Sequence, residues 1–407
     1  MWLLEANAIQ KRALLAASLG WMLDSMDVML YSMVLAHMMR DLGMTEGKAG
    51  LMASLTLASS AAGGTLFGIL ADRVGRSRAL LASILVYSIF TSACGLAQNV
   101  AQLALFRILL GLGMGGEWAC GAALVAETWP SRHRGKAMGV MQSSWAVGYA
   151  LAAGLTALVL PRWGWRAVFF AGVAPALVTF WIRRNVPEPE IWRRSKETAG
   201  TKSGISGLSK LWQGEYGRHL AVTTLANAGT MFAWWGLFTW IPAYLSLPAS
   251  RGGAGLSIVN TSTWIIVMQV GMWLGYVSFG FISDRIGRKK TYVGYIFTAA
   301  AIVPVYGSTR DPTCLLLIGP LLGFFGTGYF SGFGAITAEI FPTAIRASAQ
   351  GITYNLGRGV SAAAPFAVGR LSSKHGLGFA FLLTSVAFWL AGLVALLLPE
   401  THGRELR

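Results

Sequence analysis

Residues 68–76 read Gly-Ile-Leu-Ala-Asp-Arg-Val-Gly-Arg, and residues 280–288 read Gly-Phe-Ile-Ser-Asp-Arg-Ile-Gly-Arg. Gly68, Asp72, Arg73, Gly75 and Arg76 recur as Gly280, Asp284, Arg285, Gly287 and Arg288, 212 positions on. A second pair keeps the same displacement. ETWPSRHRGKAMG starts at Glu127 and EIFPTAIRASAQG starts at Glu339, so Glu127, Pro130, Arg134 and Gly139 return as Glu339, Pro342, Arg346 and Gly351. Two unrelated motifs sharing one displacement mark an internal duplication in the same orientation.

What surrounds the repeats is apolar. Hydrophobic residues make up 54% of the 407 positions and charged residues only 12%, against roughly 25% charged in a soluble domain. Such a chain cannot clothe a water-soluble globule, which excludes most soluble enzymes. A membrane-crossing helix needs about 20 mainly apolar residues. Runs of that kind lie near 13–35, 48–71, 79–98, 101–125, 137–160 and 166–184, then near 219–246, 258–283, 290–308, 313–337, 348–370 and 378–398. They are too long, and alternate too little, for barrel strands. The expectation is an all-α integral membrane protein of twelve helices, six in residues 1–184 and six in 219–407, joined by a polar linker at 185–218.

The net charge of +16 is a map of topology. Of 33 Lys and Arg, 23 fall at the termini, in the linker or in even-numbered connections, and eight fall on the other side. That bias predicts both termini in the cytoplasm and a place in the inner membrane, not a nucleic-acid partner. The remaining two, Arg107 and Arg358, lie inside spans. Cys94, Cys120 and Cys314 fit no metal or redox spacing, no ATP-binding G-x-x-x-x-G-K-[ST] loop occurs, and neither a cofactor nor enzymatic activity is expected.

GILADRVGR and GFISDRIGR resemble the signature loop of the major facilitator superfamily, found between its second and third helices and again between its eighth and ninth. The resemblance covers nearly the whole chain. It implies two pseudo-symmetric six-helix bundles and transport by alternating access. On this reading the repeated residues gate the cycle: Gly68, Asp72, Arg73, Gly75, Arg76, Glu127 and Arg134, with Asp284, Arg285, Gly287, Arg288, Glu339 and Arg346. Alternatively their charges only set topology.

Charges inside the bilayer are costly and point to function. Asp24, Asp27, Arg107, Glu117 and Arg358 are such charges, and none has a repeat counterpart. Asp24 and Asp27 share a helix face with Tyr31. A neighbouring guanidinium favours an ionised carboxylate, whereas burial without one favours the acid. Asp27 or Asp24 is therefore expected to exchange a proton under the influence of Arg107, with Glu117 in the same region. The competing reading is a fixed buried salt bridge. RILLGLGMG at 107–115 resembles the superfamily's fourth-helix pattern associated with proton coupling. The fifth helix, MGVMQSSWAVGYALAAG, lacks the Gly-Pro pair frequent in exporters, which favours import.

Arg358 follows Tyr354 and Asn355 by one turn, and no acid lies within any second-half span. Its partner must come from the first half or from substrate, and its planar fork suits a carboxylate. Tyr31, Gln142, Trp145, Tyr149, Asn227, Trp234 and Tyr329 are expected to complete the binding pocket. LDSMD at 23–27, RILLGLGMGGEW at 107–118, GWRAVFF at 164–170 and RRNVPEPEIW at 183–192 resemble sialate–proton symporters and the related nicotinate and aromatic-acid carriers. SSWAVGY at 143–149 and Gly357-Arg358 resemble the nicotinate carriers. The expected activity is proton-coupled symport of a small organic anion by a monomer in the lipid bilayer. A proton-driven exporter of drugs or metabolites is the alternative.

Overall fold

A computed structural model describes residues 5–173, 176–177, 181–182, 185–188, 212–341 and 343–401. The side chains of Asp72, Arg134 and Arg346, and most of the linker, lie outside the described residues. Within them the ordered elements are helices. The first half carries α1 (Ala8–Asp41), α2 (Glu46–Val74), α3 (Arg76–Cys94), α4 (Val100–Thr128) and α5 (Ser131–Phe170). The second carries α6 (Gly214–Phe238), α7 (Ile241–Ser246), α8 (Ile258–Ile286), α9 (Arg288–Ser308), α10 (Pro312–Gly328), α11 (Phe330–Ile340), α12 (Thr343–Ser361), α13 (Ala363–His375) and α14 (Leu377–Ala395). The chain divides into two compact units, one of residues 1–44 and 55–202, the other of residues 45–54 and 203–407.

Eight helices among the described residues are long and apolar enough to cross a membrane. Leu66, Leu158, Phe281 and Leu317 are among the many large apolar side chains left exposed on them. In water such a surface would drive association; on a multi-pass membrane protein it meets lipid. Of the other four expected crossings, 166–184 lies partly outside the described residues. The remaining three are α6, α9 and the α12–α13 pair, which carry polar side chains such as Asn227, Lys289 and Arg358. Breaks follow local chemistry. In α5, Pro161 and the positive φ of 74° at Gly164 separate the fifth crossing from the sixth, because proline removes a helical donor and clashes with the preceding turn.

The duplication extends to packing. Gly63 on α2 lies against the backbone of Leu112 on α4, and its image Gly275 on α8 lies against Phe324 on α10, the image of Leu112. A side chain at either glycine would strike a carbonyl oxygen, so the two helices could not approach as closely. The signature loops are built alike. Gly75 has φ 116° and Gly287 has φ 106°, conformations open mainly to glycine. Immediately after them the Glu188 carboxylate accepts from the backbone N–H groups of Ser77 and Arg78 at 3.2 and 3.1 Å. Glu400 likewise accepts from Arg288 and Lys289 at 2.9 and 3.4 Å. Each acid satisfies the open donors at the start of α3 or α9 and faces the positive end of the helix dipole. Pro187-Glu188 and Pro399-Glu400 are thus a third copy of the 212-residue repeat, missed in the sequence reading.

Candidate functional site

The repeated charges meet within their own units. Arg76 pairs with Glu127 at 3.0 Å. Arg288, the image of Arg76, pairs with Glu339 at 3.5 Å and with Asp284 one turn before it. Thr401 donates to the second Glu339 oxygen. These pairs staple the signature loops to the ends of α4 and α11.

The unrepeated charges of the first unit sit deeper. Asp24 and Asp27 on α1 are each 1% exposed, Arg107 on α4 is 1% exposed and Glu117 is fully buried. The Arg107 guanidinium lies 4.2 Å above the Tyr31 ring, and its Nε and Nη1 have no hydrogen-bond partner. Neither carboxylate oxygen of Asp27 has a partner of ordinary geometry. Asp27 is placed beside Thr91 on α3 and the backbone of Gly172, and Cys94 lies in the fields of both Asp27 and Arg107. The fixed Arg107–Asp27 salt bridge is therefore not formed in this conformation. Glu117 lies against Gly20, where any side chain on α1 would collide with its carboxylate.

Tyr87 stands among these acids. It is completely buried, its hydroxyl is 3.4 Å from the carbonyl oxygen of Gly20, and Asp24, Asp27 and Glu117 all act on it electrostatically. Sequence reading missed Tyr87 and Thr91. The available signal was the stripe Ser83, Tyr87, Thr91, spaced by one helical turn through an apolar helix; all three are buried.

The predicted aromatic residues of α5 pack on α1 and α4. The Trp145 ring stands 4.6 Å from Trp21. Ser25 donates to the Trp145 carbonyl at 2.7 Å, and Trp118 donates to Gln142 Oε1 at 3.2 Å. Tyr149 is fully buried.

In the second unit Arg358 is 2% exposed. Its guanidinium lies 5.5 Å from the Tyr354 ring centroid, its Nε lacks a partner, and Asp284 and Glu339, the acids nearest in sequence to the spans, serve Arg288. Asn355 is half-buried. Asn227 on α6 donates to the Thr353 carbonyl at 3.1 Å, while its Oδ1 is buried without a donor. Gly357 makes this approach possible, since a side chain there would meet the Asn227 amide. Trp234 donates to Thr327 Oγ1 at 3.3 Å and Tyr329 donates to the Thr230 carbonyl at 3.2 Å. Both are spent on joining helices. Gln269 on α8, not foreseen from sequence, is 2% exposed with neither amide atom partnered.

Duplicated scaffold charges and unduplicated buried ones together describe a transporter rather than an enzyme. Comparison with known proteins agrees. The family model of the Major Facilitator Superfamily matches residues 17–278 and 248–407. The chain is 32% identical to a cis,cis-muconate transport protein of Acinetobacter baylyi, over 96% of this chain and 94% of that one. It is 31% identical to a sialic acid transporter of Escherichia coli, over 95% and 93% respectively. A crystal structure of a D-xylose-proton symporter superposes with a TM-score of 0.77 at 20% identity, covering 98% of this chain and 100% of that one, which supports the fold. The chain belongs to the Major Facilitator Superfamily.

Proposed function

We propose that this protein takes up a small organic anion together with protons, by alternating access, as a monomer in the inner membrane with both termini in the cytoplasm. The observation that carries the reading is Arg358: a buried guanidinium with an unpartnered Nε and no acid paired to it among the described residues. An uncompensated buried cation is strongly unfavourable, and a bound carboxylate would supply the missing charge and a bidentate acceptor. Within the second unit, Tyr354, Asn355 and the free Oδ1 of Asn227 stand beside it. The muconate and sialic acid carried by the two relatives are both carboxylates, which supports this class.

Asp27, with Asp24 and Glu117, holds the coupling proton, and Arg107 governs it by approaching or leaving. The signature-loop residues Gly68, Asp72, Arg73, Gly75 and Arg76, with Glu127 and Arg134, gate the cycle together with Asp284, Arg285, Gly287, Arg288, Glu339 and Arg346. The test is uptake into proteoliposomes of radiolabelled muconate, sialate, nicotinate and benzoate. Accumulation driven by an inward proton gradient and abolished by an uncoupler is expected. Efflux driven by the same gradient would overturn the direction, and no gradient dependence would overturn coupling.

A further inference from the structure

Helix α8 divides into three faces. With about 100° between successive residues, Gly271 and Gly275 point one way and lie against the backbone of Pro320 and Phe324 on α10. Val270, Trp273, Leu274 and Val277 point another way and are exposed, as a lipid-facing surface should be. The third face carries Ser262, Gln269 and Tyr276, each two turns from the next, and all three are buried.

Gln269 is the anomaly of that face. It is 2% exposed, and neither Oε1 nor Nε2 has a hydrogen-bond partner among the described residues. An unmet buried polar group costs about 1–3 kcal/mol. The repeat shows that an apolar residue fits the position, since the image of Gln269, 212 residues earlier, is the buried Leu57. Arg358 has the same asymmetry, with Ala146 as its image.

Two contacts place Gln269 relative to Arg358. Arg288, just beyond the end of α8, pairs with Glu339, just before the start of α12. Helix α8 therefore arrives at the end of the unit from which α12 departs. Gln269 is 17 residues back from Ile286 and Arg358 is 15 residues on from Thr343, about 25 and 22 Å from that common end. The two lie within one helical turn of the same depth. Nearer the common end, Tyr276 of α8 and Tyr354 of α12 are close enough to interact electrostatically. Tyr276 shares its face with Gln269, and Tyr354 stands one turn from Arg358 on a shared face. Gln269 and Arg358 thus border the same interior of the second unit.

We propose that Gln269 selects the substrate by hydrogen-bonding a neutral polar group on the acid whose carboxylate Arg358 holds. This role rests on the carboxylate reading of Arg358 and adds a second requirement to the substrate class. An amide donates and accepts but carries no charge, so it does not offset a second carboxylate. It suits a hydroxyl, a carbonyl or a ring nitrogen. A site built to hydrogen-bond such a group discriminates against the analogue that lacks it, because its own polar atoms are then left unmet.

The experiment is thermal stabilisation of the purified full chain in lipid nanodiscs by benzoate, 3-hydroxybenzoate, 4-hydroxybenzoate and nicotinate, acids built on one six-membered ring. In the wild type at least one of the three polar acids should bind about tenfold more tightly than benzoate. Gln269→Leu, which installs the residue found at the repeat image, should bring that acid down to the affinity of benzoate and leave benzoate itself unchanged or tighter. Without ligand this variant should melt at or above the wild-type temperature, because an unmet buried amide has been removed. Arg358→Ala should weaken all four acids. If Gln269→Leu weakens benzoate as much as the polar acids, or leaves the preference intact, Gln269 is a packing residue and the assignment fails. A clear fall in the unliganded melting temperature would likewise show that the amide serves the fold. No preference among the four acids in the wild type also overturns the assignment. If Gln269→Leu abolishes the preference while Arg358→Ala binds all four as the wild type does, the role of Gln269 stands and the carboxylate reading of Arg358 falls.

Discussion

The Arg107 guanidinium lies 4.2 Å above the Tyr31 ring and forms no ion pair with Asp27. In this conformation the cation rests on an aromatic face, which away from water is worth about 2 kcal/mol, and Asp27 is left without a counter-charge. Tyr31 is thus a resting place that keeps Arg107 off the carboxylate. Tyr31→Leu should release Arg107 towards Asp27 and lower gradient-driven accumulation roughly 30-fold, as about 2 kcal/mol implies. Tyr31→Phe keeps the ring and should stay near wild type. Equal loss in both variants, in a proteoliposome uptake assay, would show that the hydroxyl matters and the ring does not.

Arg358 should dominate affinity. Truncating one member of a buried charge pair costs about 2 kcal/mol or more, so Arg358→Ala should weaken binding of the transported carboxylate by about 30-fold or more. Arg358→Lys should not restore it, because an ammonium cannot offer a planar two-donor fork. Ligand-dependent thermal stabilisation measures this directly. Unchanged stabilisation by the same acid in Arg358→Ala would remove Arg358 from the site.

The duplicated caps give a stability prediction. Glu188 and Glu400 each receive two backbone donors at the start of a helix, so Glu188→Ala and Glu400→Ala should each cost about 1 kcal/mol. Gly75→Ala and Gly287→Ala should cost more. Both positions have positive φ with extended ψ, a region essentially reserved for glycine that costs other residues about 1–3 kcal/mol, and the added methyl would meet the capping carboxylate. Chemical unfolding in detergent, scored for the four single variants, tests the order. A glycine variant as stable as wild type would contradict it.

Much of this architecture was legible from the sequence because the bilayer is an unforgiving solvent. It demands long apolar helices, so the crossings stand out, and the duplication printed Asp72 and Asp284, or Glu127 and Glu339, at one displacement. The buried charges were legible for the same reason: Asp27 and Arg358 are anomalies in apolar runs. Tyr87 and Gln269 were not, because a tyrosine or glutamine in a membrane helix is ordinary until its neighbours are known. Asn227 and Trp234 show the converse. Their polarity marked them as interior, but whether a donor faces a cavity or ties two helices together depends on packing, and here the Asn227 amide and the Trp234 indole hold Thr353 and Thr327. The third repeat, Glu188 with Glu400, was hidden because its acids sit at the ends of apolar runs, where a charge reads as topology.

Asp27→Asn separates coupling from carriage. The amide is close in size to the protonated acid, so helix packing around Thr91 and Gly172 should survive, but it can neither lose a proton nor attract Arg107. Counterflow exchange of substrate needs only that the loaded carrier reorient, and should persist within a few-fold of wild type. Uphill accumulation needs a proton to bind on one side and leave on the other, and should vanish at every external pH, flattening the pH dependence of net uptake. The paired assay is counterflow against gradient-driven uptake in the same proteoliposomes. Retained accumulation would move the coupling proton to Asp24 or Glu117, and loss of both activities would make Asp27 part of the path that substrate or helices must take.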